Sequence, residues 1–221
     1  MNYRVLLLLI VFTTMPVFAG HIYYLTPKVV VIRNGKEIIA NKGMQIYAED
    51  RIKTYKSGFA ILDFDGIVKV KVGKNTNVLV KKLLLKTKIS SNAKTNLYLK
   101  SGKLAVEYLH GKISKNKKNK FIVKTKIASL GVRGTKFYID YSSPTNLWMC
   151  VNQGLVEVKN KLNKYLVPEG QGVSISSKGE ISAPEDVPWI KQVNWNFSLD
   201  KGEVKSDFVI PDYDFLRFDY D

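Results

Sequence analysis

From Val29 onward, apolar residues recur at every second position rather than at helical spacing. Val68, Val70 and Val72 alternate with Lys69 and Lys71, which puts valines on one face of a strand and lysines on the other. The same period sets Leu104, Val106 and Tyr108 opposite Ala105 and Glu107, and Phe121, Val123 and Thr125 opposite Ile122 and Lys124. The runs Phe59 to Phe64, Leu147 to Val151 and Leu155 to Val158 predict more fully buried strands. Turn residues punctuate the pattern at Asn34-Gly35, Ser57-Gly58, Asp65-Gly66, Gly73-Lys74-Asn75, Ser101-Gly102, Gln153-Gly154, Glu169-Gly170 and Ser177-Lys178-Gly179. No window of ten or more residues carries a helical stripe. The expected fold is all-β, a β-solenoid-like or β-sandwich-like stack of short strands. A unit of Gly turn followed by alternating strand recurs at Gly35, Gly102, Gly154 and Gly170, irregularly spaced, which suits strands stacked in successive coils.

Three segments leave this pattern. Met1 to Arg4 is followed by an apolar run from Val5 to Phe12, with Val17 and Ala19 before Gly20. That is the plan of a secretory signal peptide over 1–19, cut after Ala19. The run is short for a bilayer and Pro16 interrupts it, so a retained anchor is the weaker reading, and no transmembrane span is expected after cleavage. The segment from Ile113 to Lys120 holds four lysines and three Ser or Asn residues and reads as an exposed hairpin loop. Residues 183–221 combine Pro184, Pro188 and Pro211 with Trp189, Trp195, Phe197, Phe208, Tyr213, Phe215, Phe218 and Tyr220. This composition predicts an extended aromatic C-terminal tail after a β domain over 20–182.

Composition narrows the chemistry. The 221 residues carry a net charge of +16, and between Lys69 and Lys126 there are 17 lysines, no arginine and one acid, Glu107. That stretch accounts for the whole excess. Lysine is a compact hydrated charge without the planar fork that reads phosphates or guanine edges, so the belt predicts diffuse attraction to an anionic glycan or lipid surface, or simply a solvated face. Export removes the expectation of a nucleic-acid partner. The lysines put forward for anion binding are Lys69, Lys71, Lys81, Lys82, Lys112, Lys115, Lys117, Lys118 and Lys120. One cysteine, Cys150, with Leu147, Trp148, Met149 and Val151 around it, predicts a buried thiol and excludes an intrachain disulfide framework.

Gly131-Val132-Arg133-Gly134-Thr135-Lys136-Phe137, preceded by Phe121 to Thr125 and followed by Gly154-Leu155-Val156-Glu157-Val158 and Glu169-Gly170-Gln171-Gly172, resembles the FecR domain. Arg33-Asn34-Gly35-Lys36, the stretch Asp50 to Thr54 and the stretch Ser57 to Gly66 follow the family's order, so the resemblance spans about 29–176. It implies an extracytoplasmic β-solenoid-like domain of a bacterial envelope protein. In family regulators that domain relays a signal from an outer-membrane receptor to a cytoplasmic segment controlling a sigma factor. No such segment precedes the signal peptide here, so the chain is similar to stand-alone secreted FecR-domain proteins. The motif residues Gly131, Val132, Arg133, Gly134, Thr135 and Phe137 also have a direct physical reading. Two glycines three apart suit a corner where a strand changes direction, and Arg133 can bond orphan carbonyls across it or meet an anion.

Catalytic patterns do not emerge: the chain has no Gly-x-Ser-x-Gly elbow, no His pair at metal spacing and no phosphate-cradling glycine loop. Asp63-Phe64-Asp65-Gly66 reads as a strand ending in a turn rather than a calcium loop, and His110 as a turn residue. The expected activity is therefore non-enzymatic and without cofactor: an envelope interaction or sensing module in the periplasm or outside the cell, acting through protein contacts. Trp189, Trp195 and Phe215 are its candidate partner contacts, or else a cap on the β-stack. The acidic-aromatic tail is the candidate for self-association.

Overall fold

The computed structural model describes residues 18–84, 94–108 and 120–198. Strand β1 (Phe18–Leu25) leads into a hairpin of β2 (Val29–Arg33) and β3 (Lys36–Ile39), where Asn34 and Gly35 both turn with positive φ, 50° and 77°. That geometry matches the twist of paired strands and suits an Asn-Gly pair. After β4 (Gln45–Tyr47) and β5 (Arg51–Thr54), β6 (Ala60–Phe64) and β7 (Val68–Val72) form a second hairpin. Asp65 and Gly66 again take positive φ there, and the Gly66 N–H donates to the Asp63 carboxylate at 2.7 Å. The Asp-rich run thus closes a turn. β1 starts inside the expected leader: Phe18 pairs with Tyr47, and a register shift separates that pair from Gly20 opposite Ile46. A cut after Ala19 leaves Gly20 to Leu25 on the sheet.

The later elements are β8 (Asn77–Leu84), β9 (Lys94–Tyr108), β10 (Lys120–Lys124), β11 (Ser129–Tyr141), β12 (Asn146–Lys159), β13 (Lys164–Pro168), β14 (Gln171–Ser176), β15 (Glu185–Asp186) and a 3-10 helix at Pro188–Gln192. β9, β11 and β12 run for 15, 13 and 14 residues, well beyond an ordinary strand, because each serves two layers. Lys94 to Ser101 of β9 pairs with β8, and its first residues with β10, whereas Gly102 to Tyr108 pairs with β7 and β11. β11 and β12 divide in the same way.

Two layers result. Layer I runs β13, β12, β11, β10, β9, β8, β5, β2, β3, and layer II runs β15, β14, β12, β11, β9, β7, β6, β1, β4. Val80, Leu97, Val123 and Leu130 of layer I share one buried cluster with Val70, Leu104, Ile139 and Met149 of layer II, so the core lies between the layers. The all-β expectation holds, in a sandwich-like arrangement. Among the described pairings only β9 with β10 is parallel, whereas successive stacked coils would pair in parallel. At the rim of layer I, Arg33 grips the buried Asp50 carboxylate through Nε at 2.8 Å and a terminal nitrogen at 2.7 Å. This geometry compensates the desolvation of the acid.

The chain does not leave the domain at Ala183. β15 pairs with β14, and Val187, Ile190, Val193 and Phe197 are buried against the outer face of layer II with Ala105, Tyr138 and Cys150. The expected extended tail therefore includes, over its first sixteen residues, a docked strap, because its apolar residues find a matching apolar patch. Residues 199–221 lie outside the described part.

Candidate functional site

The family-like motif sits where β11 crosses from one layer to the other. Its register against β12 shifts between Arg133 and Lys136. At this shift Gly134 takes φ 61° and the facing Gly154 takes φ 88°. A Cβ on Gly154 would come within 2.8 Å of both the Gly134 carbonyl and the Thr135 methyl, so a close approach and a left-handed backbone both call for glycine. Gly102, the bend of β9, lies against Thr76. Gly131 differs from the expectation of paired corner glycines. It has no positive φ, it pairs regularly with Glu157, and the nearest atom to an added Cβ is 3.9 Å away. Val132 and Phe137 point into the core, and the Thr135 hydroxyl is buried without a hydrogen-bond partner. Arg133 stands opposite Leu155 in the register; its side chain lies outside the described part.

The outer face of layer II carries the residues that sequence reading scattered over a lysine belt and a tail. Lys69 and Lys71 do alternate with inward valines, but Lys71 is only 1% exposed. Its ammonium donates to the Asn194 carbonyl at 2.8 Å and lies 4.9 Å from the centre of the Phe197 ring. Burial pulls its pKa down to about 8, opposed by the attraction of Glu107. Lys71 is thus not part of an anion-binding face: the strap covers it, and this long-range contact left no trace in the local alternation. Lys69 lies over the Tyr23 ring at 4.5 Å, and Lys81 reaches Glu49 at 3.5 Å. Lys82 and Lys120 lie on β8 and β10, with side chains outside the described part, as are Lys112, Lys115, Lys117, Lys118 and Phe215 altogether.

Of the candidate partner contacts, Trp189 is buried and stacks on Trp148 at 4.8 Å between ring centroids. The Trp195 indole donates to the Ile190 carbonyl at 2.9 Å. Trp189 holds the strap to its own domain, and Trp195 braces the strap from within. Beneath them Cys150 is fully buried, and burial raises its thiol pKa well above the ordinary value.

Layer I presents the opposite case. Leu155 and Leu166 are 46% and 54% exposed on its outer surface, and Ile39 at the far edge is 83% exposed. A groove of about 480 Å³ runs between Ile122, Gly131, Leu155 and Leu166. On its rim Glu157 holds Lys164 at 2.8 Å and Lys159 at 3.3 Å. The hydrogen bond from Lys164 is the main reason the Glu157 carboxyl titrates below the usual range. Lys124 is exposed next to Ile122. Sequence reading assigned Leu155 to a buried strand; its turn away from the core follows from the register after Gly154, which only the fold sets. A second cleft, of about 380 Å³, lies by Asp140, Asn146, Trp148 and Ser174. Its Asp140 carboxylate is held by Lys103 at 3.1 Å and by the Ser142 hydroxyl at 2.6 Å. Among the described residues no group of three His, Cys, Asp or Glu side chains is placed to hold a metal ion.

Residues 50–157, from the acid gripped by Arg33 to the carboxylate on the groove rim, match the family model described as FecR protein. The chain carries a FecR domain. The match is narrower than the 29–176 resemblance, and it contains all three bend glycines, Gly102, Gly134 and Gly154. Two crystal structures of "a putative anti-sigma factor" from Parabacteroides distasonis are similar to the chain at 16% identity, each with a TM-score of 0.49 over 64% of this chain. The chain spans 62% of the length of that protein. None of the curated proteins matches it. No helix among the described residues is long and apolar enough to cross a membrane.

Proposed function

We propose that this FecR-domain chain is a regulatory or sensing protein of the bacterial envelope, exported by its leader and acting without catalysis, through protein contacts on the outer face of layer I. One observation carries the reading: of the two outer faces, the strap covers layer II, while layer I leaves Leu155 and Leu166 about half exposed beside an apolar groove. An uncovered apolar patch rimmed by charge is the usual mark of an interaction surface. The anionic-polymer alternative draws less support, since Lys71 is buried and Lys69 and Lys81 are engaged within the chain.

The two readings separate in one experiment. Cross-linking in intact cells, followed by recovery in high salt, should retain one protein partner. Leu155→Asp or Leu166→Asp should remove it while leaving the fold, read by circular dichroism, unchanged. Capture that collapses in salt and ignores both leucine changes would replace this reading with the polymer one. Fractionation that finds the chain in the cytoplasm would remove the export step.

A further inference from the structure

Trp148 stands where the strap-covered part of layer II meets its open part. Lys103, Asp140, Trp148 and Ser174 are register neighbours in one row across β9, β11, β12 and β14. Two residues on from Trp148 is Cys150, under the strap, and two residues back is Asn146, exposed and paired in register with Ser176. Side chains two apart on a strand share a face, so the half-buried indole divides the strap from the cleft of about 380 Å³. Trp189 stacks on the indole at 4.8 Å and takes no part in lining the cleft, which leaves the other side of Trp148 to the cleft.

Around that indole the cleft gathers hydrogen-bonding groups and no base. Asp140 and Glu180 contribute carboxylates, Asn146 an amide and Ser174 a hydroxyl, and among the described residues no lysine or arginine lines it, in a chain with 35 of those residues. Like charge disfavours an anionic ligand there. Nor does Asp140 call for a cation. Lys103 holds one of its oxygens at 3.1 Å, and the Ser142 N–H and hydroxyl donate to the other at 2.9 and 2.6 Å. The carboxylate is thus neutralised and fixed in orientation, with lone pairs left for further donors. Glu180 is exposed, where water and salt screen its charge. The Asn146 amide and the Ser174 hydroxyl have no protein partner among the described residues.

A flat aromatic side, the buried Ile181 in the lining, and free donors and acceptors around them suit a molecule that is apolar on its ring face and hydroxylated at its rim. We propose that this cleft binds a neutral saccharide, with a pyranose ring against Trp148 and its hydroxyls on Asp140, Asn146 and Ser174. The volume is at the lower end of the range for small-molecule sites, so a short stretch of glycan enters. Trp189 and Tyr138 already hold the indole, which therefore loses little freedom on binding. The site lies on layer II and does not rest on the reading of the layer I groove.

The test uses the full exported chain, with maltotriose, cellotriose and chitotriose as neutral probes, spermidine as a cation and a polygalacturonate fragment as an anion. Isothermal titration should show saturable binding of at least one trisaccharide, little changed between low and high salt, and no binding of the charged probes. Trp148→Ala should weaken binding at least tenfold. Because that change also removes the strap's stacking partner, Ser174→Arg serves as a second variant: it fills the cleft, leaves the Trp148–Trp189 pair in place and should abolish binding. Asn146→Ala should lower affinity several-fold. A Cys150 thiol that stays inert to reagent reports that the strap is docked in these last two variants. No saturable trisaccharide binding by the folded chain, or binding indifferent to both Ser174→Arg and Asn146→Ala, overturns the inference. Binding of spermidine or polygalacturonate in place of the sugars overturns the neutral class of ligand. None of these results alters the proposed protein contacts of layer I, which Leu155→Asp and Leu166→Asp test separately.

Discussion

Gly131 and Gly154 face the same pair of strands, yet substitution should act on them in opposite directions. Alanine at 154 must hold φ near 88° and bring a Cβ within 2.8 Å of the Gly134 carbonyl. The loss expected is about 2 kcal/mol or more. Alanine at 131 meets nothing nearer than 3.9 Å and removes the entropic penalty of glycine in a strand, for a gain of about 0.5 to 1 kcal/mol. Chemical denaturation of the two variants checks this, and a loss of stability for Gly131→Ala would show that the position is structurally forced. The sequence marked both glycines of the motif as special but not which one bends the chain. Positive φ depends on where β11 changes partners, and that register is a property of the assembled sheets.

The strap is the element whose role changes most between sequence and structure. Its Val187, Trp189, Ile190, Val193 and Phe197 cover Ala105, Tyr138 and Cys150, while the main core between the layers is a separate cluster. A chain ending at Ala183 should therefore stay folded and expose the Cys150 thiol. At pH 8 the full chain should resist a thiol reagent in its native state, and the shortened chain should react at one equivalent. A folded shortened chain whose thiol stays inert would show that the strap is not what shields it. The aromatic content of 183–198 was legible as anchoring; that its anchor is the chain's own sheet was not, because Trp148 and Trp189, which stack together, are far apart in sequence. The hairpin turns, by contrast, were legible, since Asn34-Gly35 and Asp65-Gly66 set their own φ.

The charge of the whole molecule sets its response to pH. Lys71 has a pKa of about 8 in the folded chain against 10.5 for a free lysine, so between these values the unfolded chain binds more protons and stability rises with pH. The contribution is full above about 10.5 and is lost as pH falls through about 8, on the order of 3 kcal/mol in all. Cys150 acts in the opposite sense: its raised pKa makes stability fall as pH rises beyond the ordinary thiol value. The two are separated by Lys71→Met. The melting temperature of the parent minus that of the variant should climb between pH 8 and 10, by about 2 to 4 °C per unit. A flat difference would mean that Lys71 is not titrating under the strap. The sequence by itself determined the strand period, the turns, the burial of Cys150 and the family, because each is written in residues next to one another or in an ordered motif. Only the tertiary structure decided that Lys71 is covered, that Trp189 stacks on its own sheet and that Leu155 faces outward at a groove lined by Gly131. Those outcomes depend on which of two layers each half of a bent strand joins, and that is settled by packing between segments distant along the chain.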